Sequence, residues 1–123
     1  MIKVLLADDQ ELIRQSLSFV MSKQEDIEMV GTAANGCEAL ELVEEKQPDV
    51  VLLDIRMPEM DGIEMIAAVQ EKGQNPVVIV LSAYSDFAYA QRAMKLGVRE
   101  YLVKPVVVDE LIGAVRRAQE IVQ

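Results

Sequence analysis

Four apolar residues, Val50-Val51-Leu52-Leu53, run directly into a carboxylate, Asp54, and the chain then breaks at Pro58 and Asp61-Gly62. A short unbroken apolar run leaves no face for water, so it predicts a strand covered on both sides, as in a parallel sheet between helices. Pro58 and Asp61-Gly62 impose a loop before the next helix. Asp54 is then the first polar side chain at the carboxyl end of a rigid strand. That is the edge at which open α/β sheets bind ligands. Taken alone, such an aspartate is adequately explained by a hydrogen bond to its own loop. Its meaning depends on what the other strands bring to the same edge.

In chain order, residues 2–7 form an apolar run interrupted only by Lys3 and ending in Asp8-Asp9. This predicts a buried strand, with Asp9 placed to cap the next helix. Residues 10–22 follow at helical spacing, with Ile13, Leu17, Val20 and Met21 inward. Residues 27–33 alternate and read as an edge strand. The helix 37–46 puts Ala39, Leu40 and Val43 inward and stops at Gln47-Pro48, since the residue before proline disfavours helix. After the Asp54 strand, a helix over 62–72 turns Ile63, Ile66 and Ala67 inward. Residues 77–81 are a second doubly buried strand, ending in Ser82. A helix over 87–96 is stopped by Gly97. Residues 99–103 form a fifth strand, carrying Tyr101 and ending in Lys104-Pro105. The helix 108–121 places Leu111, Ile112, Val115 and Ala118 on one face. Strict alternation of strand and helix predicts an α/β fold, a parallel sheet with right-handed crossovers and helices on both faces. Periodicity leaves the strand order open.

A length of 123 residues suits one domain. The net charge of −9 argues against direct contact with nucleic acid or an anionic membrane and is compatible with metal cations or basic partners. There is no histidine, which excludes His-based metal sites and Ser-His or Cys-His catalysis. The single cysteine, Cys37, cannot form an internal disulfide and has no basic sequence neighbour to activate it. No apolar run approaches the roughly 20 residues that span a bilayer. Strand pattern begins at Met1-Ile2-Lys3, so no signal peptide is expected and a cytoplasmic location is.

The strand ends carry Asp8, Asp9, Asp54, Ser82 and Lys104. At the carboxyl edge of a parallel sheet these converge. Three adjacent carboxylates repel, and a divalent cation is the simplest remedy. Oxygen donors alone favour Mg²⁺ or Mn²⁺ over zinc. Lys104 is a point charge suited to a phosphoryl oxygen, and Ser82 can donate to another. The chemistry implied is phosphoryl transfer onto a carboxylate, giving an acyl phosphate. Asp54, the deepest acid and the one standing alone, is the expected nucleophile, while Asp8-Asp9 suit metal holding.

With these residues the chain resembles the receiver domains of two-component response regulators. The likeness covers essentially residues 1–123. It rests on Val4-Leu5-Leu6-Ala7-Asp8-Asp9, on Asp54-Ile55-Arg56-Met57-Pro58-Glu59-Met60-Asp61-Gly62, on Leu81-Ser82-Ala83, and on Gly97 through Lys104-Pro105. It implies a flavodoxin-like three-layer sandwich with strand order 2-1-3-4-5. It implies that Asp54 accepts a phosphoryl group from a sensor histidine kinase. Mg²⁺ would be held by Asp9 and Asp54, by Asp8 through water, and by the backbone carbonyl of Arg56. Ser82 and Tyr101 would be the switch pair, Lys104 would contact the phosphoryl, and the bond before Pro105 would be cis. Phosphorylation would reshape the face of helix four, strand five and helix five. Such a domain is a signalling module with self-catalysed phosphotransfer and slow autodephosphorylation, not an enzyme with its own turnover.

The N-terminal half resembles receivers joined to LuxR-type DNA-binding domains. Tyr84 to Ala90 and Lys104-Pro105 resemble those joined to AraC-type domains. A receiver belonging to a longer transcriptional regulator is therefore expected ahead of a stand-alone receiver, with DNA reached only through a separate output domain and homodimerisation on phosphorylation as a further expectation. Two other functional classes fit these residues less well. A haloacid-dehalogenase-type phosphatase needs an acid two residues past the nucleophile, where this chain has Arg56, and a cap domain. A nucleotide- or flavin-binding module needs a phosphate-cradling loop after strand one, where this chain has Asp8-Asp9-Gln10. Arg56 and Tyr84 are both bulky positions flanking the chemistry. An Arg56→Asn, Tyr84→Ala variant is expected to lose its phosphoryl group faster than the wild type, as followed by intact mass over time.

Overall fold

The computed structural model describes residues 1–83 and 87–122. The elements are β1 (Ile2–Ala7), α1 (Glu11–Ser22), β2 (Ile27–Ala33), α2 (Gly36–Lys46), β3 (Val50–Asp54), α3 (Gly62–Glu71), β4 (Val77–Ser82), α4 (Phe87–Lys95), β5 (Glu100–Val103) and α5 (Val108–Val122). All strand pairs are parallel and the order is β2-β1-β3-β4-β5. The flavodoxin-like order implied by the family resemblance is the order found.

The period of two along each strand divides the core in two. Leu5, Ala7, Val51, Leu53 and Val80 face the layer of α2, α3 and α4, where Ala39, Val43, Ile66 and Ala93 pack against them. Val4, Leu6, Val50, Leu52, Ile79 and Leu81 face α1 and α5, against Leu17, Met21, Leu111 and Val115. The chain steps from β1 outward to β2, then back across β1 to β3 and onward. With right-handed crossovers, that reversal places α1 and the α2–α4 series on opposite faces. The reversal also opens a crevice between the carboxyl ends of β1 and β3.

Two local expectations are corrected. Ala67 is exposed, and Met65 and Val69 are buried instead. Each helical residue turns about 100°, so Ala67 lies beyond the face that Ile63, Ile66 and Val69 present to the sheet. Asp9 does not cap α1: the cap is Gln10, which makes no side-chain cap bond. The Gln10 backbone N–H instead donates to Asp8 Oδ1 at 2.9 Å. Elsewhere capping follows sequence chemistry. Asn35 accepts from the Glu38 N–H, and Asp61 and Glu64 form a reciprocal capping box that starts α3 just after the Asp54 loop. Among the described residues, no helix is long and apolar enough to cross a membrane.

The loop after β3 is held by close backbone approaches. The Gly36 N–H donates to the Met60 carbonyl at 2.9 Å, and a Cβ on Gly36 would lie 2.2 Å from that oxygen. A Cβ on Gly62 would lie 2.8 Å from the Asp54 carbonyl oxygen. Gly36→Ala is therefore expected to cost about 1–3 kcal/mol, the usual range for overpacking a filled site. Gln47, at the end of α2, adopts φ 47° directly before Pro48, a left-handed conformation that proline makes harder still. Gln47→Gly should stabilise the fold by about 0.5–1 kcal/mol. Urea denaturation of the two variants, read as midpoint shifts of opposite sign at an unchanged slope, checks both.

Candidate functional site

Asp8 and Asp9 follow β1, Asp54 ends β3, Ser82 ends β4 and Lys104 follows β5. The topology brings the three acids together: one carboxylate oxygen from each of Asp8, Asp9 and Asp54 lies within 4.8 Å of the others. Asp8 is fully buried, Asp54 is 5% exposed, and Asp9 faces solvent. Lys104 reaches past β4 to join them. Its Nζ donates to Asp8 Oδ2 at 2.8 Å and to Asp54 Oδ2 at 3.3 Å. The Lys104 backbone N–H donates to the Ser82 carbonyl at 2.7 Å, tying the end of β5 to β4. Asp54 Oδ1 accepts a long bond, 3.4 Å, from the Arg56 N–H.

The remaining sequence-derived candidates lie around this cluster. Ser82 is buried, and its hydroxyl donates to the Ala83 carbonyl at 3.2 Å. Tyr101 is half-buried and packs against the α2–α4 core. The Lys104–Pro105 bond is cis. Arg56 stands at the start of the β3–α3 loop, its guanidinium 5.0 Å from the Tyr89 ring centroid. Tyr84 lies outside the described residues. Two neighbours escaped the sequence reading. Arg14 donates to the Asp8 carbonyl at 2.6 Å. Its signal was a cation in the first turn of α1, where the helix dipole disfavours one unless an acceptor waits there. Tyr89 had no signal, since an aromatic on α4 reads as core.

Burial dominates the electrostatics of Asp54. It pushes the carboxyl up to about 6, against the pull of the Lys104 charge and with a further push from Asp8. Lys104 has the opposite balance. Burial would lower it, but its hydrogen bond to Asp8 and the charges of Asp54 and Asp8 outweigh that and hold it above the usual lysine range. Three carboxylates face one ammonium, so the ionised cluster keeps surplus negative charge. Closely spaced oxygen-only donors with surplus negative charge fit a small hard divalent cation.

The burial of Asp54 has a stability consequence. Below about pH 3.8, the ordinary carboxyl value, Asp54 is protonated in native and unfolded chains alike. Between that value and about 6 only the native state keeps the proton, so stability falls as pH rises. Above about 6 the cost levels off near 3 kcal/mol as an upper figure. Asp54→Asn keeps an acceptor for Lys104 without the charge. In chelator-containing buffer it should be more stable than the wild type by about 1–3 kcal/mol at pH 7.5. The difference should vanish near pH 3.5, as measured by denaturant titration across pH.

Comparison with known proteins agrees with this geometry. Residues 4–116 match the sequence model of the response regulator receiver domain. The chain is 42% identical over 110 residues to the transcriptional regulatory protein YhcZ of Bacillus subtilis, covering 89% of this chain and 51% of that protein. It thus spans about half the length of that relative. It is 37% identical to the chemotaxis protein CheY of Listeria monocytogenes, covering 96% of this chain and 98% of that one. The receiver domain of AraT, a response regulator from Geobacillus stearothermophilus, superposes with a TM-score of 0.88 at 38% identity, covering 96% and 92% of the two chains. A match over nearly all of the sequence, on a sheet of the same order with its acids gathered at the β1/β3 crevice, leaves one conclusion: the chain belongs to the response regulator receiver domain family.

Proposed function

We propose that Asp54 accepts a phosphoryl group from a sensor histidine kinase, and that the acceptance switches the α4-β5-α5 face. One observation carries this reading. A lysine ammonium bridges two buried carboxylates, Asp8 and Asp54, beside a third that is open to solvent. A purely structural ion pair has no use for the third acid, nor for a carboxylate whose charge destabilises the native chain. An anion acceptor needs both a cation carrier and a nucleophile.

Mg²⁺ or Mn²⁺ would be held by Asp9 and Asp54, with Asp8 in support and the Arg56 carbonyl as a further donor. Bound there, it would offset charge building on the phosphoryl oxygens. The chain's own groups do the rest. An Asp54 oxygen attacks phosphorus in line while the P–N bond to the donor imidazole breaks, and the released imidazole retains its electron pair. Lys104 moves its interaction from the Asp54 carboxylate to a phosphoryl oxygen. Ser82 turns its hydroxyl from the Ala83 carbonyl toward another. Phosphorylation adds negative charge and acceptor oxygens where Asp54 had one charge. Tyr101, on β5 and packed against the α2–α4 core, then repacks. The shift favours the active arrangement only by the contacts that arrangement makes better.

Likeness to regulators about twice this length supports an output in transcription through a separate domain. Near full-length likeness to a chemotaxis protein favours a second reading of the output alone, a protein partner docking on the switched face. A hydrolytic phosphatase is disfavoured, since Arg56 stands where that chemistry needs an acid.

The test is incubation with acetyl phosphate and Mg²⁺ followed by intact mass. Wild type should gain one phosphoryl group, labile to hydroxylamine. Asp54→Asn, or wild type in excess chelator, should gain none. Steady phosphate release without an adduct would overturn the reading. Light scattering on the phosphorylated form then tests dimerisation, expected as a doubling of mass.

A further inference from the structure

The loop after Asp54 and helix α4 meet on one aromatic ring. The guanidinium of Arg56 lies 5.0 Å from the Tyr89 centroid, and that of Arg92, one turn along α4, approaches the same ring at 5.7 Å. Tyr89 is half-buried and anchored against the α2–α4 core, whereas Arg56 and Arg92 are exposed. Arg56, Met57, Asp61 and Tyr89 together line a hollow of about 270 Å³ next to the acceptor loop. Arg56 thus faces two ways. Its backbone N–H donates toward Asp54 Oδ1, and its side chain is drawn to a ring fixed on α4. Cations attract the ring's π-face but repel each other, so Arg92 competes with Arg56 for Tyr89.

We propose that Tyr89 is a positioning residue for the acceptor site: its ring holds the Arg56 side chain at the mouth of the acid pocket and so sets how fast water reaches a phosphoryl group on Asp54. This inference rests on the reading of Asp54 as the acceptor. The step it governs is hydrolysis. A water oxygen bonds to phosphorus as the Asp54 Oδ–P bond breaks, returning the carboxylate and inorganic phosphate and releasing a proton to solvent. Water must approach opposite the breaking bond, from the open side of the pocket. A guanidinium fixed there obstructs the approach continuously, and a released one obstructs it only part of the time. Because the ring belongs to α4, the lifetime of the phosphoryl group becomes coupled to the position of the face that would carry the signal.

The contact and its consequence can be read separately. The side-chain Nε–Hε resonance of Arg56, assigned by its loss in Arg56→Lys, should be ring-current shifted in wild type and Tyr89→Phe. It should return to the ordinary arginine position in Tyr89→Leu. Decay of the phosphorylated form, followed by intact mass after removal of acetyl phosphate, should be unchanged in Tyr89→Phe. It should be about two- to fivefold faster in Tyr89→Leu and Arg56→Ala, the factor an exposed cation–π contact supports. The Arg56→Ala, Tyr89→Leu double variant should decay no faster than Arg56→Ala. Arg92→Ala, at an exposed position that leaves the fold intact, should decay more slowly. A Tyr89→Leu decay equal to wild type, or a Tyr89 effect that persists in full without Arg56, overturns the inference while leaving Asp54 as acceptor. A wild type that takes no phosphoryl group overturns the acceptor reading and this inference with it.

Discussion

The half-buried ammonium of Lys104, 2.8 Å from Asp8 and 3.3 Å from Asp54, is the interaction on which the rest of the site depends. Two carboxylates at the inner end of a sheet could not both stay ionised in a medium that solvates them poorly. One lysine relieves the pair only in part. Burial outweighs that relief at Asp54, whose carboxyl is raised to about 6, while the carboxylates hold Lys104 firmly protonated. The site is thus built with an unmet demand for positive charge beside Asp54, and ionising that carboxylate costs the fold stability. Such local destabilisation is a common feature of functional centres.

The fold supplies this arrangement through one topological event. β1 and β3 lie side by side because the chain reverses its direction across the sheet between β2 and β3. Their carboxyl ends therefore present Asp8, Asp9 and Asp54 to a common crevice. Lys104 comes from β5, two strands away from β3, and its length spans β4. The glycines at 36 and 62 let the β3–α3 loop lie close to α2 and to the end of β3, where a Cβ would collide with the backbone. Strand order, loop packing and lysine reach have to hold together for the acids to meet.

Much of this was legible in the chain. The apolar runs ending in Asp8, Asp54 and Ser82 marked both the buried strands and the edge where their polar ends emerge, because the doubly covered stretch of a strand, which in β1 begins after the exposed Lys3, admits no polar residue before its end. Helix faces were read well where the stripe was wide, as at Leu17 and Met21 in α1, and less well in α3. There Ala67 is as apolar as its neighbours but lies off the buried face. Composition cannot distinguish those positions; only the rotation of the helix against the sheet does. The expected Asp9 cap failed for a related reason. Local chemistry offered a suitable side chain, but the acid cluster and the Asp8–Gln10 bond determined how the turn closes.

By itself the sequence determined the α/β class, the identity of the strand-end acids and lysine, and the absence of histidine chemistry. These follow from residue type and from periods of two and 3.6, which act over a few residues. Tertiary structure alone decided which atoms meet. It decided that both Asp8 oxygens are engaged, that Lys104 bridges rather than simply neighbours the acids, and that Arg56 leans on Tyr89 from another element. Contacts between residues tens of positions apart depend on how whole elements pack and cross, and no local pattern encodes a distance across a sheet.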